Sequence, residues 1–523
     1  MFSFRIRLRD VGVELTALLL LAPLALAVAE SMDLGKYAHW WGAPRGWETL
    51  CTTLQVSSLA AAMAVAMAWA LASATSRCRP GWTRAVAIVS CLPLLTPSST
   101  MATTWLFLAT GKGPLASVLP AIGLRATSIA AAAAVLAARY FGLAVAILLY
   151  YQLGRKSNWP AERLFRVPRL TAILRLHGPP AIQATTVAAL AVLLFCMNDQ
   201  IIPGMLLIST YGPQIMIQYA ALLDAPAAMA LALPVAGVGM LMVAVALRAG
   251  RTASGVSREA KPIVPRPRSR GQRALAGALV VAILSAALGG PIWVLVRQTE
   301  SFATPLEMIW TARGEVFETL LCAAMAGPIC SALAALLALR WIAARRAGRL
   351  SAAPLVLVNL VIPPSLLGIA MIQASQYWPL NAMGDSRGPL VFAYVVRFLP
   401  VAVLGFYVVW RGDSHDQTRA AYVHGVAPWR RAARLTWPRR RPMLLAASVL
   451  CGLLAATELE MSILLAPPGR ATLGVRLYSL MHTAPDTMVS ALTLAILVLV
   501  GPGVLAVTFL LARLRIVGGV NDG

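Results

Sequence analysis

Apolar runs of about 20 residues, the length that crosses roughly 30 Å of hydrocarbon as a helix, recur from one end of this 523-residue chain to the other. No other feature limits the fold so strongly. Twelve such runs can be read, at residues 11–29, 50–73, 86–109, 128–152, 181–203, 226–247, 275–296, 317–342, 353–375, 388–410, 443–465 and 488–512. Several contain proline or glycine, which membrane helices tolerate where neighbours re-satisfy the backbone. The expected fold is all-α, a polytopic membrane protein of about twelve transmembrane helices. Hydrophobic residues make up 59% of the chain and charged ones 12%, with mean hydropathy +0.74, which excludes a soluble globular class. Little chain remains outside the runs for a separate catalytic domain.

The formal charge of +25 would suggest nucleic acid until the basic residues are placed. Arg5, Arg7 and Arg9 precede the first run and set the N-terminus in the cytoplasm. With that orientation most of the 45 Lys and Arg fall in cytoplasmic segments, as in a positive-inside protein with both termini cytoplasmic. The basicity then reflects topology and attraction to anionic headgroups, and no nucleic-acid partner is expected. The first run lacks a small-residue cleavage site and reads as a retained helix rather than a signal peptide.

Seven cysteines show neither a paired extracellular framework nor metal spacing. Cys51, Cys91, Cys196, Cys322, Cys330 and Cys451 lie in or near apolar spans and read as small core residues, with Cys78 in a loop. No metal site or resident cofactor is expected. G-x-x-x-x-G-K-[ST], H-E-x-x-H and G-x-S-x-G are all absent, so no catalytic residue is assigned.

The basic, proline-containing segment 248–274, with Arg251, Arg258, Lys261, Arg266, Arg268 and Arg270, reads as a cytoplasmic linker between six-helix units at 1–247 and 275–523. The two units look related. Arg139-Tyr140-Phe141-Gly142 in the fourth run resembles Arg397-Phe398-Leu399-Pro400 in the tenth. Laying Pro179 on Pro438 gives an offset of 438 − 179 = 259, and the same offset carries Asp199 onto Glu458. Six helices return each unit to the cytoplasm, so the repeats would be parallel, related by an axis along the membrane normal.

The segment Arg419-Ala420-Ala421-Tyr422-Val423-His424-Gly425, with Leu435 and Pro438 beyond it, resembles the EAA loop of ABC-importer permeases. That loop is written E-A-A, three residues, G, nine residues, then I-x-L-P. Here Arg419 replaces the glutamate and Trp437 the second leucine. In that family the loop is a short helix that docks into a groove on a separate ATPase subunit. Ala420 and Ala421 favour a helix, Asp416 stands where a cap could form, and Gly425 can end the helix with positive φ. The corresponding loop of the first half keeps Ala161, Leu176 and Pro179, while Arg166 occupies the glycine position and Pro160 the glutamate position. Thr457-Glu458-Leu459 with Pro467-Pro468-Gly469-Arg470-Ala471-Thr472-Leu473, and Asn198-Asp199 before Pro203, resemble stretches of fused ferric-iron permeases, to which thiamine and polyamine permeases are similar.

Asp199 and Glu458 fall in the outer part of corresponding runs. Intramembrane carboxylates are costly and usually face a partner or a watery path. Two readings stay open: a cation path with the carboxylates facing one another, or local hydrogen bonds that brace helices. Arg139 and Arg397, deep inside spans, should pair with a carboxylate or with backbone carbonyls, a contact to an anionic substrate being the alternative.

The resemblance implies the permease subunit of an ABC importer in a bacterial inner membrane, taking up a small cation, ferric iron first and thiamine or a polyamine next. Its implied partners are a dimer of ATPase subunits, which would use the ATP, and a periplasmic or surface substrate-binding protein. The alternative is a twelve-helix secondary carrier. The loop after the second run, Ser73-Ala74-Thr75-Ser76-Arg77-Cys78-Arg79-Pro80-Gly81, is basic but lacks the aspartate such carriers usually place there.

Overall fold

A computed structural model of the chain describes residues 2–31, 33–75, 80–110, 113–121, 123–153, 178–252, 270–299, 301, 304–346, 350–377, 380–410, 420–421 and 423–513. Among these the regular structure is helical, as lipid demands of a backbone that must satisfy its own hydrogen bonds. Among the described residues, eight helices are long and apolar enough to cross a membrane, including Pro44–Thr75, Arg313–Arg346 and Gly388–Trp410. Pro234, Pro328, Pro400, Pro442 and Pro502 all lie inside helices without ending them.

Three of the runs are not single straight helices. The first bends by 44° between Val11–Leu19 and Ala22–Ala29. The third bends by 91° between Gly81–Leu95 and Ser98–Ala109, and the ninth by 113° between Ala353–Val361 and Pro364–Ala374. Counting each bent pair as one span, the described residues give up to eleven spans against the expected twelve. The remaining run, 443–465, is divided between Trp437–Ala456 and Glu460–Leu465. Arg439, Arg440 and Arg441 stand in the first turns of the longer helix. Its apolar part, residues 442–456, is about 22 Å long at 1.5 Å per residue, short of a roughly 30 Å core.

The sharp bends have a common cause. Thr96 (φ −77°, ψ 142°) and Pro97 (φ −55°, ψ 138°) are extended, as are Ile362 (φ −72°, ψ 130°) and Pro363 (φ −54°, ψ 139°). A residue before proline is pushed out of the α region, and the proline offers no N–H to continue the ladder. A helix restarts at once, at Ser98 and at Pro364.

The helices form two compact units, which are not the two halves of the sequence. One contains residues 1–32 and 305–485 with 495–516, and the other 33–304 with 486–494. The first helix thus packs with the second half, while Arg270–Leu284 and Gly290–Gln298 pack with the first, against Pro44–Thr75 and Ser98–Ala109. In the first of these units Glu14 supplies the fastening. Its carboxylate accepts from Arg340 Nε at 2.7 Å, from Ser351 Oγ at 2.9 Å and from the Ala352 N–H at 2.5 Å. A buried or half-buried carboxylate with three donors is satisfied in one place only, which fixes where that helix lies.

In the 33–304 unit the core runs along one stripe of the Pro44–Thr75 helix. Val56, Ala60, Ala64, Ala68 and Ala72 recur every fourth residue and are buried against Ile129–Leu153, with Ala132, Leu136, Ala137 and Ala144 opposite. Small residues at this spacing let helix backbones approach, which matters where lipid gives no hydrophobic drive. The tightest approach is at Gly142, where a Cβ would meet Ser90 O at 2.0 Å. Gly142→Ala should therefore lower stability by about 1–3 kcal/mol, whereas Gly237→Ala, with nothing within 4 Å of the added atom, should not. Thermal unfolding of the two purified variants checks the contrast; equal melting temperatures would refute it.

Candidate functional site

The 33–304 unit places Arg139 and Asp199 together. Arg139, in the Ile129–Leu153 helix, donates to Thr96 O, the last carbonyl before the prolyl break. Its Nε lies 3.5 Å from Asp199 Oδ2. That oxygen also accepts from Tyr140 Oη at 2.9 Å and from Ser98 Oγ at 2.9 Å. The other oxygen, Oδ1, accepts from the Ile202 N–H at 3.2 Å and so caps the short helix Ile201–Met205. Asp199 is 5% exposed and Arg139 8%. Each group thus answers another's need: the break leaves a carbonyl without a helical donor, the arginine supplies one, and the aspartate balances the arginine.

The 305–485 unit repeats part of this arrangement. Arg397 in Gly388–Trp410 donates through Nη1 to Ile362 O at 2.7 Å, and lies 3.4 Å from Asn359 O. The accepting carbonyls sit at the same distance along the chain from one half to the other as the two prolines, 362 − 96 and 363 − 97 both being 266. Glu458 Oε1 accepts from the N–H groups of Glu460 at 3.0 Å and Met461 at 3.2 Å, in the first turn of Glu460–Leu465. Asp199 and Glu458 therefore cap corresponding short helices. A third contact recurs: Thr53 Oγ1 accepts from the Tyr211 N–H at 3.1 Å, and Thr319 Oγ1 from the Leu473 N–H at 2.8 Å. Each threonine takes up an orphan donor at the start of a helix that follows an extended Thr210 or Thr472.

Both arginines thus bond backbone carbonyls, and Arg139 also has its carboxylate. The sequence alone does not single out Tyr140, Ser98 and Thr96. Tyr140 stands beside Arg139, and the Thr-Pro-Ser order at 96–98 marks the break, but which run Arg139 reaches is a matter of tertiary packing. Glu460, 7% exposed, is more deeply buried than the half-buried Glu458 two residues before it.

A second region gathers the residues of the 419–438 segment. Arg419 and Asp416 lie outside the described residues, as do Ala161 and Arg166 with the loop around them; Pro179 falls in the first turn of Gly178–Met197. Ala420 and Ala421 are helical. The His424 N–H donates to Ala420 O at 2.9 Å, and the Val426 N–H to Ala421 O at 2.9 Å. Gly425 has φ +69°. This six-to-one bond over a left-handed glycine is the Schellman form of helix end. Beyond it come Pro428–Arg431, a π turn at Ala432–Thr436 that contains Leu435, and Trp437–Ala456, with Pro438 in its first turn. The turn exposes apolar side chains, Val423 at 80% and Val426 at 36%. Arg440 packs its guanidinium 4.7 Å from the Trp410 ring centre, a cation–π contact at the base of the segment.

No family model matches this chain, and no curated protein matches it.

Removing either member of the Asp199–Arg139 pair should be costly, because a buried charge that loses its partner destabilises by about 3–5 kcal/mol. Asp199→Asn and Arg139→Gln should each lower the unfolding midpoint strongly. Their combination should cost clearly less than the two single losses added. Additive losses in chemical denaturation would mean the two groups act separately.

Proposed function

We propose that this chain is the permease subunit of a binding-protein-dependent ABC importer, two parallel six-helix repeats fused through the 248–274 segment and powered by a separate ATPase dimer. The observation that carries the reading is the turn at Gly425. A short helix that stops abruptly at a left-handed glycine, exposes Val423 and Val426, and leads within a few turns into the 20-residue helix Trp437–Ala456 has the form a docking lever needs. Its exposed valines offer apolar contact to a partner's groove, and the stiff Trp437–Ala456 helix carries movement inward. The recurring prolyl breaks, arginine-to-carbonyl bonds, carboxylate caps and threonine caps support the two repeats.

The orientation that suits this reading puts 420–438 in the cytoplasm, with both termini on that side of a bacterial inner membrane and a substrate-binding protein at the opposite face. The cargo is a small solute, ferric iron before thiamine or a polyamine, on the resemblance of the 457–473 and 198–203 segments. Asp199 serves this reading as a brace rather than as an ion ligand. Its oxygens already receive an arginine, a tyrosine, a serine and a backbone N–H, which leaves little coordination for a passing cation.

Co-purification with an ATPase, and uptake into vesicles that stops without ATP, test the class directly; uptake driven by an ion gradient alone would favour a secondary carrier. Gly425→Val tests the lever. A Cβ there meets nothing within 4 Å, so the variant acts through φ alone, at about 1–2 kcal/mol for a left-handed residue and more for a β-branched one. ATP hydrolysis should continue while uptake falls about tenfold or more. Unchanged uptake by a correctly inserted variant would remove the lever.

A further inference from the structure

Two thiols meet inside the 305–485 unit. Cys330 lies in Arg313–Arg346 and Cys451 in Trp437–Ala456, each 1% exposed. Their sulfurs are 3.3 Å apart, closer than ordinary sulfur–sulfur packing. The neighbouring backbone explains how two helices come so near. A Cβ on Gly327 would meet Ser448 O at 2.3 Å, and one on Gly452 would meet Ala323 O at 3.1 Å. Ser331 Oγ donates to Leu444 O at 2.8 Å and ties the same pair of helices together. The two glycines thus set a backbone separation at which facing cysteines must touch. Of the other described cysteines, Cys51 is exposed, Cys91 is partly buried and bonds through Sγ to Gly142 O, and Cys196 and Cys322 are buried.

We propose that Cys330 and Cys451 form an oxidation site, at which a membrane-permeant two-electron oxidant joins the helices by a disulfide. The sulfurs need to close by about 1.3 Å to reach the 2.05 Å of the bond. With a diazene such as diamide the step balances. One thiolate adds to the N=N bond, the second displaces it from sulfur, and the S–S bond forms as both S–H bonds are lost. Two electrons and two protons pass to the reagent, which leaves as a hydrazine. Burial of both sulfurs bars charged oxidants, so the site selects uncharged, membrane-permeant ones such as diamide. The link would staple Trp437–Ala456 to Arg313–Arg346 whatever the chain carries, so this inference stands apart from the importer reading.

The test uses purified full-length protein in detergent, reduced, freed of reductant, treated with diamide, then denatured and alkylated. Alkylatable thiols should fall from the seven of the sequence by two. Mass spectrometry should recover a peptide pair joining Cys330 to Cys451, reversed by dithiothreitol. Cys330→Ser should keep all its thiols through the same treatment, and Cys451→Ala provides the same control should the first variant fold poorly. Full alkylation of the wild type after diamide overturns the inference. So does a loss of two thiols that maps to another pair, such as Cys51 with Cys78.

Discussion

A carbonyl released inside a hydrocarbon layer has to find a donor, and much of this structure follows from two such carbonyls. At Thr96 and Ile362 the chain turns sharply because a proline follows, and neither oxygen keeps its helical partner. Both residues are buried, so water is largely kept away and a side chain has to supply the donor. Arginine carries five donors in a rigid fork, and one is supplied at each break from the neighbouring helix. The solution brings a charge with it. In one unit that charge is met by Asp199, which is held in turn by Tyr140 and Ser98 and fixes the start of the next short helix. A broken helix therefore determines an arginine, the arginine a carboxylate, and the carboxylate the path of the chain beyond it.

The rest of the packing rests on closeness rather than on polarity. The alanine stripe from Ala60 to Ala72, and the glycines at 142, 327 and 452, bring backbones together where dispersion over many atoms supplies the attraction. Such contacts are weakly specific, since one alanine face resembles another. Specificity comes from the few polar fastenings. Glu14 shows this well: nothing in the apolar part of the first helix says that it belongs with residues 305–485, but its three donors lie only there.

The sequence discloses these layers unequally. Among the described residues, eight spans and the positions of three bent ones follow from hydropathy, because length and apolarity are properties of one segment. The bends themselves are hidden: Pro328 and Pro400 sit inside continuous helices, while Pro97 and Pro363 end one. Both members of the second group follow a residue in extended backbone, at a place where a neighbouring arginine takes up the released carbonyl. The exchange of first helices is equally invisible, since no periodicity names a packing partner. At the candidate site the pairing of Arg139 and Arg397 with carboxylate or carbonyl is readable from the cost of buried charge. The 259-residue offset that joins Asp199 to Glu458 is readable too, but their shared work as helix caps is not, because each caps a helix too short to leave a hydrophobic pattern. Positive φ at Gly425 follows from the residue type and its place after two alanines.

On the importer reading, these features divide the labour. A passage that alternates between two faces needs parts that do not deform and a place where force enters. The braced breaks supply the first: a carbonyl, a guanidinium and a carboxylate in low dielectric separate only at high cost, so movement leaves the Arg139 cluster intact. The segment from Ala420 to Thr436 supplies the second. It is exposed at residues 423–426, is assembled from short turns and holds a π turn, while its last residue runs straight into a helix locked against Arg313–Arg346 at Gly327 and Gly452. Force applied at the Gly425 turn therefore reaches the apolar core through one rigid element, and the bend must be taken up near residues 428–436, where the helical hydrogen bonding is least regular.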